Sequence, residues 1–100
     1  MTDGDYRIEW RPMAMEDLRA IVRYIGKEPP ARAKDFGKAL HDKTQHLAHH
    51  PEMGRCGRPG LPGDVRELVV HPNYIVFYRV VAESRAVVIL RIKHAAQQLP

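Results

Sequence analysis

The sequence predicts an α+β domain in the order β-α-α-β-β-β, with a helical hairpin packed on one face of a four-stranded, mainly antiparallel sheet. Three observations carry that reading. Tyr6, Ile8 and Trp10 alternate with Arg7, Glu9 and Arg11, the period-two pattern of a strand with one buried face. Two segments then repeat apolar residues at three- and four-residue spacing, as amphipathic helices do. Last come three apolar runs, VRELVV, YIVFYRVVA and AVVILRIK, separated only by His71-Pro72-Asn73 and Glu83-Ser84-Arg85, connections short enough for an antiparallel meander.

The first helix is expected from Pro12, a residue suited to a first helical turn. Met15, Leu18, Val22 and Ile25 form its stripe, widened by Ala14 and Ile21, while Glu16 and Asp17 are expected to complement the positive end of the helix dipole. Gly26 and the pair Pro29-Pro30 break it, and Pro30 opens a second helix with Ala33, Phe36, Leu40, Thr44 and Leu47 at helical spacing. Pro51 stops that helix after His49-His50. Residues 51–64 hold four glycines and three prolines and read as an irregular loop. In the run after it, Tyr74, Val76, Tyr78 and Val80 oppose Ile75, Phe77 and Val81. A strand apolar on both faces belongs in the middle of its sheet. The helical hairpin can cover one sheet face only, so the other face is expected to be covered by sheet curvature and the glycine-rich loop or by a partner chain.

One hundred residues, 44% of them hydrophobic, suit one domain over residues 1–100. Sixteen Lys and Arg against twelve Asp and Glu give a net charge of +4, which favours acidic partners. Eleven of the cations are arginines, whose planar fork suits phosphate and carboxylate. A lone Cys56 makes no intramolecular disulfide, the N-terminus MTDGDYRIEW lacks a secretory pattern and no apolar run could span a bilayer. A cytoplasmic protein with no membrane role is expected.

Most chemical signatures are absent. His46, His49 and His50 have a spacing that could bring two imidazoles to a metal, but without an HExxH glutamate or third ligand they read better as partners of the last-turn carbonyls. No nucleophile motif surrounds Cys56, Thr44 or Ser84, and no phosphate-cradling glycine loop exists. Neither metal nor cofactor is expected. What remains is a basic set, Arg66, Arg79, Arg91, Lys93 and His94, spread over three neighbouring strands. Alternation places Arg91 and Lys93 on one face and His94 on the other or just past the strand end. An imidazole with arginines could serve RNA cleavage, as acid and as stabilisers of phosphorane charge; a contact surface or a solvated strand end uses the same residues.

The order and wording of MEDLRAIVRYI, ARAKDFGKAL, HPEMGR, VRELVV, NYIVFYRV and VVILRIKHAAQ resemble the ParE/RelE superfamily of toxins from type II toxin-antitoxin modules, over nearly the whole chain. The resemblance implies one of two activities: inhibition of DNA gyrase, as in ParE-like members, or cleavage of messenger RNA on the ribosome, as in RelE-like members. RelE-like nucleases typically carry cations where this chain has Ile75 and Leu68. The wording is closer to ParE-like toxins, which implies a binding inhibitor of gyrase rather than an enzyme, with Arg91, Lys93, His94 and Arg79 as target contacts. The alternative is an mRNA endonuclease using His94, Arg79 and Arg66, and a third class is an inactive antitoxin-binding member. In each case the resemblance implies a cognate antitoxin, ParD-like or another small, partly disordered protein, with Ile75, Phe77 and Arg66 as candidate contacts.

Overall fold

The computed structural model describes residues 5–27 and 30–95. Its elements are β1 (Arg7–Trp10), α1 (Pro12–Ile25), α2 (Pro30–His49), β2 (Arg55–Cys56), β3 (Arg66–His71), β4 (Tyr74–Val81) and β5 (Ala86–His94). The sheet runs β1-β5-β4-β3-β2; β1 is parallel to β5 and every other pairing is antiparallel. The expected mixed architecture is present. β4 lies in the middle and is buried at five successive positions, Tyr74, Ile75, Val76, Phe77 and Tyr78, as its two apolar faces require.

The sheet has five strands where four were expected, because two residues of the 51–64 loop pair with β3, Arg55 with Glu67 and Cys56 with Arg66. The loop is folded back by a buried anchor. Tyr78, fully buried, accepts a hydrogen bond from the Gly54 N–H at 2.7 Å and donates one to the Pro51 carbonyl at 2.8 Å. A Cβ on Gly54 would stand 2.7 Å from both the Glu67 carbonyl oxygen and the Tyr78 hydroxyl, so only glycine fits this approach.

The helices cover one sheet face. Ala14, Ile21 and Ile25 of α1 and Phe36, Leu40 and Leu47 of α2 pack against Val76, Tyr78, Val87, Ile89 and Ile92. The second helix follows its expected stripe, Thr44 included. On the first, the stripe is rotated: Val22 is exposed while Ala14, Ile21 and Ile25 go inward. The expected dipole role of Glu16 and Asp17 is also corrected, since the first turn holds no acidic residue and Asp17 is used by β5 instead. On the opposite sheet face Val65, Ile75 and Phe77 form a second cluster with Leu61 and Leu90. The glycine-rich loop, one of the expected covers, packs on this cluster through Leu61.

A bulge in β5 sets which side chains face where. Tyr78 is registered with Ile89 but Phe77 with Arg91, leaving Leu90 as the extra residue. Ile89 and Ile92 therefore both reach the helix side although they are three apart. Arg91 and Lys93, registered with Phe77 and Ile75, start from the other face, and their long side chains reach round the edge of β5 to the α1 side, Arg91 to Asp17 and Lys93 to the hollow beside it. His94, registered with Tyr74, faces the helices.

Candidate functional site

The carboxyl end of β5 borders a cleft on the helix side. His94 meets the buried Tyr74 edge to face at 5.2 Å between ring centroids, and Tyr74 continues to Phe36 at 5.1 Å. His71, at the end of β3, lies 6.0 Å from Tyr74. A hollow of about 550 Å³ opens over these rings, lined also by Tyr24, Arg32 and Asp35. A second of about 280 Å³ shares Tyr24, Tyr74 and His94 and adds Asp17, Ile92 and Lys93. His94 thus stands on the wall common to both. Aromatic faces beside cationic and imidazole groups can take up a partner's aromatic, carboxylate or phosphate groups.

The electrostatics of the cleft have visible causes. Burial, and then the neighbouring Tyr24, push the Tyr74 hydroxyl above its ordinary 10.0, so it stays a neutral donor. His71 Nε2 lies 3.7 Å from an exposed Asp35 carboxylate, and its buried Nδ1 finds no hydrogen-bond partner among the described residues.

Beside the cleft, Asp17 links α1 to β5. Its Oδ2 accepts from Arg91 Nε at 2.7 Å and from the Ile92 N–H at 3.0 Å, and its Oδ1 from Arg91 Nη2 at 3.1 Å. Burial opposes ionisation of Asp17, but the hydrogen bonds of Arg91 and Ile92 and the charges of Arg91 and Lys93 outweigh it and hold the carboxyl below its ordinary 3.8. Arg91 is raised in turn, chiefly by the Asp17 hydrogen bond. Lys93, half-buried at the rim, makes no ion pair with a described residue.

The other sequence-derived candidates lie elsewhere. Arg66 is registered with Tyr78 and donates to the carbonyls of Gly54 at 2.7 Å and Glu52 at 3.2 Å. Arg79 faces the loop side and binds Asp64 at 2.6 Å. Both sit four to five residues along β4 from the level of His94, roughly 13–17 Å at the strand rise. Arg66, Arg79 and His94 are not gathered into one cluster. Ile75 and Phe77, 7% and 5% exposed, lie under the loop, where Arg58 stands 5.8 Å over the Phe77 ring and binds Glu67 at 2.6 Å. His49 engages Asp5 at 2.8 Å, and no cluster of three metal-ligating side chains occurs among the described residues. None of their helices is long and apolar enough to cross a membrane.

Sequence reasoning missed Asp17, Tyr24, Arg32, Asp35, His71 and Tyr74 as cleft residues. The spacing of Met13, Asp17, Ala20 and Tyr24 was the available signal, since these positions share one helix face.

Residues 8–99 match the family described as ParE toxin of type II toxin-antitoxin system, parDE. The chain is 38% identical over 91 residues to Toxin RelE2 of Caulobacter vibrioides, covering 91% of this chain and 97% of that protein. Its fold is similar to a chain of the chromosomal ParDE system of P. aeruginosa, with a TM-score of 0.70, 24% identity and coverage of 92% and 98%. It is similar also to a chain of the toxin-antitoxin complex RelBE2 of Mycobacterium tuberculosis, with a TM-score of 0.68, 24% identity and coverage of 96% and 98%. This chain, with its two helices on a sheet closed by a parallel β1–β5 pair, belongs to the ParE toxin family of type II toxin-antitoxin systems.

Proposed function

We propose that residues 1–100 act as one cytoplasmic toxin domain that inhibits DNA gyrase by binding, and that a cognate antitoxin, ParD-like or another small, partly disordered protein, neutralises it. The observation that carries the gyrase reading is the employment of Arg66 and Arg79. A nuclease would aim such cations at the scissile phosphate near its acid, yet here they hold the Gly54 and Glu52 carbonyls and Asp64, away from His94. Ile75 and Leu68, where nuclease relatives carry cations, supply no replacement. Lys93, His94 and Tyr24 around the two hollows then offer a contact surface, joined by Arg79 on the other face. The complexes named above, toxin-antitoxin pairs in their own organisms, support an antitoxin partner for this chain.

A second reading, ribosome-dependent cleavage of messenger RNA, is favoured by the name of the Caulobacter relative and by His94 lying in a cleft with His71. One pair of assays separates the two. The purified chain is expected to inhibit gyrase supercoiling and to leave a translated message uncut in primer extension. His94→Gln separates them again: a positioned general acid is worth about 10²–10⁴-fold in rate, whereas a surface contact costs about 1–2 kcal/mol of affinity. Discrete cuts that vanish in His94→Gln, with supercoiling unaffected by the wild-type chain, would replace the gyrase reading.

A further inference from the structure

β1 ends beside Ile89, where the Arg11 N–H makes the last bond to β5, so among the described residues Leu90 to His94 have no strand on that side. The chain turns there into α1 and returns a carboxylate to the open edge. Asp17 accepts the Ile92 N–H as a neighbouring strand's carbonyl would, and the same group takes both nitrogens of Arg91. The residues flanking this contact are Lys93 and His94, which line the hollows beside it. Asp17 is only 17% exposed, so its charge is spent inside the molecule.

We propose that Asp17 is a positioning residue for target recognition: it stands in for the missing strand at the end of β5 and thereby fixes Lys93 and His94 in their binding orientation. This rests on the reading of that end as the target surface. The carboxylate also offsets the charge of Arg91, so among the described residues lining the smaller hollow Lys93 is the lysine or arginine presented.

The test compares Asp17→Ala, which removes all three hydrogen bonds, with Asp17→Asn, which keeps an oxygen for the Ile92 N–H but loses the charge paired with Arg91. Leu40→Ala on α2 supplies a destabilised fold whose truncation is away from the hollows. Growth inhibition over an inducer titration, corrected for soluble protein, reads potency without assuming a target. Hydrogen exchange of the Ile92 amide and the imidazole resonances of His94 read geometry. Losing a charge-assisted bond is expected to raise the inducer threshold of Asp17→Ala by about 10-fold or more and to speed Ile92 exchange by a similar factor. Asp17→Asn, which is expected to fold even where alanine does not, should stay within about threefold of wild type in potency. The proposal fails if Asp17→Ala is no weaker than Leu40→Ala, if Asp17→Asn loses inhibition outright, or if Ile92 exchange and the His94 resonances are unchanged in the folded variants. A wild-type chain that leaves gyrase active removes the gyrase reading alone, because the resonance and exchange measurements need no target.

Discussion

Replacing Tyr78 by phenylalanine removes one oxygen atom and leaves the ring where it is, fully buried between the helices and the middle of the sheet. That oxygen accepts the Gly54 N–H and donates to the Pro51 carbonyl. Pro51 is half-buried, so its carbonyl can turn to water and its bond is worth about 1 kcal/mol. Gly54 is buried, and an unpaired N–H there costs about 1–3 kcal/mol. The sum is about 2–4 kcal/mol, which for a chain of this length lowers Tm by about 10–20 °C. Arg66 holds the same segment through the Gly54 and Glu52 carbonyls, so a Tyr78→Phe, Arg66→Ala double variant should show a coupling of at least about 0.5 kcal/mol. Urea and thermal unfolding of the two single variants and the double variant supply these values, and exchange of the Gly54 amide reports the anchor directly. A Tm drop under about 3 °C, below the cost of even one lost hydrogen bond, with Gly54 still protected, would refute the assignment of Tyr78 as the anchor of the 51–54 turn.

Gly54→Ala should be worse tolerated than alanine at Gly37, an exposed helical glycine whose added Cβ meets nothing within 4 Å; soluble yield and Tm compare the two. In acid, the sign follows from Asp17. Its carboxyl is held below 3.8 in the fold, so it contributes stability above that pH and loses it as pH falls through the lower folded value. Urea melts between pH 6 and about pH 2 should therefore show a steeper loss for wild type than for Asp17→Asn, and parallel curves would contradict the ion pair. Arg79→Gln breaks an exposed pair with Asp64 and should cost no more than about 1 kcal/mol. A loss of gyrase inhibition in that variant without a Tm change would then report target contact.

Elements whose signal is local were legible in the sequence. The Phe36, Leu40, Thr44, Leu47 spacing identified the buried face of α2, and the two-sided apolar run identified β4 as central. On α1, two overlapping sets of apolar residues competed for one face, and Val22 was lost to solvent because Ile21, one residue or about 100° away, packs inward. β2 carried no propensity of its own; two residues among glycines became a strand because β3 offered an edge and Tyr78 drew Gly54 in. His94 was visible as a basic residue at a strand end, but its cleft is assembled from α1, α2, β3, β4 and β5. The Asp17–Arg91 contact joins residues 74 positions apart and has no local pattern that announces it.

The parallel pairing of β1 with β5 has a kinetic side. β5 lies between β1 and β4, so the earliest strand of the chain cannot be hydrogen-bonded into the sheet before the latest one has been made. Even the contact of Arg7 with the Ser84 carbonyl spans 77 positions. Closing such long loops is slow, and until it happens α1, which packs chiefly on β5, lacks most of the surface it docks against. During synthesis, α2 and the β3–β4 pair can associate early, whereas the end of β5 that carries Lys93 and His94 takes its frame only in the final docking event. A nascent chain is thus without the proposed contact surface for as long as its last strand is missing, and truncation before Ala86 should leave a chain that neither closes its sheet nor inhibits growth.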